Sequence, residues 1–115
     1  MLDSSHRFHG YNALTLVHKQ GQVVRGQAMS LKYVRNPRRQ TYRVAVVVSK
    51  KVSKSAVVRN RIRRRVYEAV RQEASRINGP YDLAFMVYDV NAASMEAAAL
   101  QKMVTAQLNK AGVVV

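Results

Sequence analysis

The sequence of 115 residues contains no cysteine, no tryptophan, only two prolines and only six acidic residues. Without cysteine the chain can form neither a disulfide nor a thiolate metal site. No apolar run reaches the ~18 residues that a membrane-spanning helix needs, and residues 1–10 lack the apolar region of a secretory signal. We therefore expect a cytoplasmic protein that does not associate with membranes. The length suits one domain, predicted over residues 1–115, with a flexible N-terminal arm at residues 1–10.

Positive charge is what the sequence has in excess. It contains 20 Lys and Arg residues against six Asp and Glu, which gives a formal net charge of +14. Between Asp3 and Glu68 there is no acidic residue at all, and this stretch holds 16 of the 20 basic residues. Because a carboxylate would repel phosphate, its exclusion from 64 consecutive residues indicates a polyanionic partner, most often a nucleic acid. An apolar content of 48% excludes a disordered basic tail.

Hydrophobic periodicity predicts an α+β domain with a single sheet. The apolar residues at 44–48 are mostly β-branched, and they predict a central strand covered on both faces. Residues 56–77 have helical periodicity, with Ser53 or Ser55 as the cap and Asn78-Gly79-Pro80 as the stop signal. The remaining predicted elements are helices at 12–20 and at about 94–110, and strands at 22–26, 29–34 and 81–88.

Residues for catalysis by the protein itself are scarce. The six carboxylates show no Asp-x-Asp or similar spacing, so we expect neither a metal site nor a catalytic acid–base pair. His6 and His9 fall in the predicted arm with no carboxylate beside them, and His18 suits a stacking contact better than a general base.

The densest charge lies at residues 49–66, where five arginines occur within seven positions. A run of charge is usually a solvated face, but like charges this close destabilise an isolated helix. Arginine also suits bidentate contacts with phosphate. We therefore interpret this helix as an RNA- or DNA-binding element.

The stretch RVAVVVSKKVSKSAVVRNRIRRRVYEAVR at residues 43–71 resembles the signature of the bacterial ribonuclease P protein subunit. In that family a strand is followed by a lysine pair and then by Arg-Asn-Arg on a helix. The resemblance extends to Arg7-Phe8, to Gly21 after the first helix, and to the strand at residues 81–88.

The resemblance implies an αβββαβα fold with a left-handed crossover, similar to the second domain of ribosomal protein S5. It also implies a non-catalytic subunit that assists a catalytic RNA in hydrolysing the 5′ leader from precursor tRNA. The Mg²⁺ that the holoenzyme requires would be bound by RNA and substrate, with no cofactor on the protein. The implied contacts to the catalytic RNA are Lys50, Lys51, Lys54, Arg59, Asn60, Arg61, Arg63, Arg64 and Arg65. The implied candidates for a cleft that receives the 5′ leader are Phe8, Leu14, His18, Tyr33 and Val46.

Two alternatives to this reading remain at the level of sequence. The chain could be a non-enzymatic binding module, such as a ribosomal or nucleoid protein, although the Lys-Lys and Arg-Asn-Arg constellation favours the ribonuclease P subunit. Tyr33 could equally be a core residue rather than a contact for an unpaired base.

Overall fold

A computed structural model describes residues 6–8 and 11–115, without the side chains of residues 11–13, 15 and 16. The predicted flexible arm lies outside these residues apart from 6–8. The order of elements confirms the predicted αβββαβα arrangement, and two short 3₁₀ helices at Ala74–Arg76 and Val90–Ala93 are added to it. The main elements are α1 (Tyr11–Gln20), β1 (Gln22–Val24), β2 (Met29–Arg35), β3 (Arg43–Val48), α2 (Ala56–Gln72), β4 (Tyr81–Val87) and α3 (Ala97–Ala111).

The four strands form one sheet in the order β1-β2-β4-β3. Strand β4 is antiparallel to β2 and parallel to β3, because α2 carries the chain back along the sheet between β3 and β4. The prediction that residues 42–49 form a central strand is therefore wrong in position, since β3 lies at the edge and β4 is central. The prediction fails because burial of both faces of a strand selects apolar residues wherever the strand lies in the sheet. An edge strand covered by helices on both faces therefore has the same apolar sequence as a central one.

The two faces of the sheet bury different helices. Helices α2 and α3 pack on one face, where Leu31, Val46 and Phe85 belong to the same buried cluster as Ile62 and Leu108. Helix α1 lies on the other face, where a smaller cluster contains Phe8, Val17, Ala45 and Ala84. None of the helices in the described part of the chain is long and apolar enough to span a membrane.

Helix α2 begins as predicted and ends earlier than predicted. Ser55 is its N-cap, and its hydroxyl accepts a hydrogen bond from the Val58 N–H at 3.3 Å. The helix ends at Gln72 rather than at Ile77. The residues that follow pair with the C-terminal tail instead, since the Asn78 N–H donates to the Val113 carbonyl at 2.8 Å.

A buried ion pair joins β3 to β4. Asp82 is fully buried and accepts two hydrogen bonds from the Arg43 guanidinium, at 2.9 and 3.0 Å. The same guanidinium lies 4.8 Å from the centre of the Phe8 ring, and the Phe8 N–H donates to the Val44 carbonyl at 3.0 Å. Asn36 from the β2–β3 turn donates to the second carboxylate oxygen at 3.0 Å. One carboxylate thus organises the turn, the edge strand and residue 8.

We predict that Asp82→Asn destabilises the fold strongly. The change leaves Arg43 largely buried without its counter-charge, and loss of one partner of a buried pair typically costs about 3–5 kcal/mol. Urea denaturation gives the change in the free energy of unfolding. The matched control is Glu96→Gln, an exposed carboxylate at the start of α3, which should cost less than about 1 kcal/mol. Similar losses for the two variants would contradict the importance of the ion pair.

Candidate nucleic-acid interface

The loop before α2 presents three lysines to solvent on an ordered backbone. A turn is closed by the Val52 N–H, which donates to the Ser49 carbonyl at 3.0 Å. The Ser53 hydroxyl accepts from the Ser55 N–H at 3.2 Å, next to the N-cap. These local hydrogen bonds determine where the loop ends and the helix begins. They are made by main-chain and serine groups, so the exposed lysine side chains are not needed to hold the loop. The lysines are Lys50, Lys51 and Lys54.

The exposed face of α2 carries the cations that have no internal partner. Arg61 and Arg64 are exposed, and no acceptor for their guanidinium groups occurs among the described residues. They lie on the side opposite the buried positions Ile62, Val66 and Val70, because helical geometry places residues three to four apart on one face. Their charge is therefore available to an external anion.

Four other predicted RNA contacts have partners within the protein. Arg59 donates to the Ser53 carbonyl at 2.9 Å, which ties the first turn of α2 to the loop before it. Arg63 donates to the Asn60 side-chain oxygen, so these two side chains are held together. Arg65 donates to two main-chain carbonyls near the start of α3, including that of Ala92 at 2.7 Å. Arg65 therefore connects α2 to the segment before α3. Its place in the basic run gave no sign of this role.

The acidic residues in α2 and just after it, Glu68 and Glu73, each form an ion pair with a nearby arginine. Glu68 pairs with Arg71, and this hydrogen-bonded guanidinium lowers the pKa of the Glu68 carboxyl to about 2. Glu73 pairs with Arg76 at 2.6 Å. The first half of α2 contains no carboxylate, so the cationic face of the helix is not weakened by a neighbouring negative charge.

A groove of about 560 Å³ runs along the open edge of β3. One wall is apolar and includes Phe8 and Leu14. Val46, which belongs to the cluster on the α2 face, lines the groove as well, so three of the predicted leader-cleft residues lie here. The other wall belongs to α2 and includes Asn60, Arg63 and Arg64. Folding therefore brings together two sets of residues that the sequence assigned to separate surfaces.

The other two predicted cleft residues lie elsewhere. Tyr33 pairs with Leu83 across the strands, on the face that packs against α2 and α3, and its hydroxyl donates to the Gln22 side chain at 2.8 Å. This position supports the core interpretation of Tyr33. His18 is exposed near the end of α1, where its Nδ1 lies 2.9 Å from the Lys32 Nζ. Burial and the charge of Lys32 both lower the pKa of His18, so its ring stays neutral and can accept that hydrogen bond.

Arg7 and Tyr67 also line the groove, and neither was among the predicted site residues. Tyr67 lies one helical turn after Arg63 and beside the apolar stripe, so its spacing in the sequence carried a signal. Arg7 appeared in the sequence only as part of the Arg7-Phe8 resemblance, because its place in the groove depends on the pairing of Arg7 with Val44.

The described residues contain no group of three or more His, Cys, Asp or Glu side chains that could hold a metal ion. Asp82 is committed to Arg43, and Glu68 and Glu73 are committed to their own arginines. The exposed cations of α2 and the apolar lining of the groove suit binding of anions and of apolar or aromatic groups.

Comparison with known proteins gives consistent results. A family model described as Ribonuclease P matches residues 2–112. The ribonuclease P protein component of a Pseudanabaena species is 33% identical over 90 residues, which cover 78% of this chain and 78% of that protein. That of a Picosynechococcus species is 36% identical over 70 residues, which cover 61% of this chain and only 60% of the relative's length. The structure of the Staphylococcus aureus RNase P protein has the same fold, with a TM-score of 0.83 at 24% identity, over 96% of this chain and 98% of that one. On the family match, which spans nearly the whole sequence, this chain belongs to the ribonuclease P protein family.

Proposed function

We propose that this chain is the protein subunit of a ribonuclease P holoenzyme, which removes the 5′ leader of precursor tRNA in the cytoplasm. The observation that carries the proposal is the unpartnered cationic face of α2, which adjoins a groove with one apolar wall. Phosphates of a folded RNA suit the first feature, and unpaired nucleotides suit the second.

In this proposal the catalytic RNA binds the loop before α2 and the exposed face of the helix. The residues that would contact it are Lys50, Lys51, Lys54, Asn60, Arg61, Arg63 and Arg64. The groove along β3 would receive an unpaired segment such as the leader, against Phe8, Leu14 and Val46. The Mg²⁺ ions required for hydrolysis would be bound by RNA and substrate.

A plain RNA-binding module would show the same cations and the same groove. The two functions differ in one consequence, which is that only a ribonuclease P subunit assists a specific catalytic RNA. Activity of the assembled complex therefore decides between them.

The first test is cleavage of precursor tRNA by the cognate catalytic RNA at low Mg²⁺, with and without the full chain. We predict that cleavage requires the RNA and is strongly stimulated by the protein, and that the protein alone cleaves nothing. Bovine serum albumin at equal concentration and a basic ribosomal protein serve as controls. Equal stimulation by the ribosomal protein would favour the general binding module. Cleavage by the purified chain alone that disappears in Asp89→Asn would overturn the subunit assignment.

The second prediction separates binding from folding. Arg61→Ala/Arg64→Ala should weaken binding to the catalytic RNA at least tenfold, about 1.4 kcal/mol, and should change the free energy of unfolding by only a few tenths of a kcal/mol. The matched control is Lys102→Ala/Lys110→Ala, which removes two exposed charges from α3 and should bind nearly as tightly as the parent protein. Arg65→Ala should behave in the opposite way and cost about 1–3 kcal/mol of stability, because two partly buried main-chain carbonyls lose their donor. Equal losses of affinity in the two double variants would show that only total charge matters.

The third prediction concerns salt. If about six phosphates are neutralised, the logarithm of the binding constant should fall against the logarithm of salt concentration with a slope of about −4 to −5. In Arg61→Ala/Arg64→Ala the slope should become shallower by about 1.4 to 1.8, which corresponds to two lost phosphate contacts. Filter binding over a series of KCl concentrations gives both slopes. An unchanged slope in the variant would mean that these two arginines do not contact phosphate.

A further inference from the structure

The turn between β2 and β3 carries a second cluster of positive charge, separate from α2. Arginine occurs four times within residues 35–43, and no acidic residue lies among them. Arg35, Arg38 and Arg39 are exposed. No hydrogen-bond or ion-pair partner for these three side chains occurs among the residues that the structure describes. Their charge is therefore available to an anion from outside.

Main-chain and asparagine groups hold this turn in place. The Asn36 N–H donates to the Pro80 carbonyl at 2.7 Å, and the Arg39 N–H donates to the Asn36 carbonyl at 3.0 Å. The Asn36 side-chain oxygen accepts from the Arg38 N–H at 3.2 Å, while its amide group donates to the buried Asp82. Because the backbone is already ordered, binding of an anion to the two arginines does not require folding of the turn.

A polar pocket of about 330 Å³ opens on the turn. It is lined by Arg38, Arg39, Gln40, Thr41 and Arg43. Arg43 is largely buried, and its Nε and Nη2 donate to Asp82. A guanidinium has five N–H donors, and no acceptor for Nη1 of Arg43 occurs in the described part of the chain. Two exposed guanidinium groups and the remaining donors of a third suit bidentate contacts with phosphate.

The turn and the loop that carries the three lysines lie at opposite ends of β3. The turn comes directly before Arg43, the first residue of the strand, and the lysine loop follows Val48, the last one. A strand of this length spans roughly 17–20 Å. One phosphate group cannot contact both ends, so the two clusters require separate parts of an RNA.

We propose that the β2–β3 turn is a second phosphate-binding surface, at which Arg38, Arg39 and Arg43 hold the backbone of an RNA segment other than the one bound by α2. Contacts with phosphate carry no base preference, so the surface positions RNA and does not read its sequence. The segment belongs either to the catalytic RNA or to the precursor tRNA, which share this chemistry. The inference rests on the proposed RNA-binding function and adds a second contact surface to it.

The test compares two complexes, the full chain with the cognate catalytic RNA and the assembled holoenzyme with precursor tRNA. The turn variant, Arg38→Ala/Arg39→Ala, should weaken at least one of them about fivefold or more and make its salt slope shallower by about 1.4 to 1.8, as expected for two lost phosphate contacts. A loss of affinity for the catalytic RNA assigns the segment to that RNA. A loss confined to the precursor tRNA assigns it to the substrate.

Two further variants serve as controls. Arg38→Lys/Arg39→Lys keeps the charge and should keep the salt slope of the parent protein. The α3 variant, Lys102→Ala/Lys110→Ala, removes the same amount of charge from another surface and should leave both affinities nearly unchanged. Thermal denaturation checks the fold of every variant, and the turn variant should melt close to the parent protein because the hydrogen bonds of the turn do not involve the two side chains.

The outcomes separate the second surface from the proposed function. Affinities and salt slopes of the turn variant equal to those of the parent protein in both complexes would overturn the second surface. Equal losses in the turn variant and the α3 variant would overturn it too, because they would show an effect of total charge. The proposed function survives either result if the parent protein still binds the catalytic RNA and stimulates cleavage. Absence of binding and stimulation by the parent protein would contradict the proposed function itself.

Discussion

The buried carboxylate of Asp82 is the constraint on which the edge of this sheet depends. A carboxylate removed from water is stable only when it is paired and hydrogen-bonded. The parallel register of β3 and β4 places Arg43 beside Asp82, and the β2–β3 turn supplies Asn36 as a further donor. The same guanidinium then covers Phe8. Because Phe8 forms one wall of the groove, the shape of the proposed binding surface follows from this internal ion pair.

Ion pairs within the protein also determine how charge is distributed over the surface. The carboxylates at 68, 73 and 82 are each used within the protein, against Arg71, Arg76 and Arg43 respectively. Helix α2 is thereby divided into a first half with only positive charge and a second half in which Glu68 offsets the charge of Arg71. A strong field at one end of a helix steers an RNA to that end, and the adjoining groove can then contact its unpaired nucleotides.

The open edge of β3 explains why the groove exists. An edge strand leaves a row of main-chain donors and acceptors that invites another strand. Here the first part of the edge is occupied by Arg7 and Phe8, and the Tyr67 side chain lies beside Val46 in the groove. This arrangement protects the edge from strand addition and leaves a space between two walls of different chemistry.

The sequence by itself determined the class of fold, the order of elements, the Ser55 cap and the cationic face of α2, because periodicity, capping and charge density are local properties. It also carried the family resemblance, which the match over residues 2–112 confirmed. It did not determine that β3 lies at the edge, since burial on both faces looks the same there as in the centre. Only the tertiary structure placed Tyr33 on the core face, joined Arg65 to the carbonyls near α3, and brought Arg7 and Tyr67 to one groove. These are contacts between residues distant in the chain, and they depend on strand order and register, which a single sequence does not encode in any local pattern.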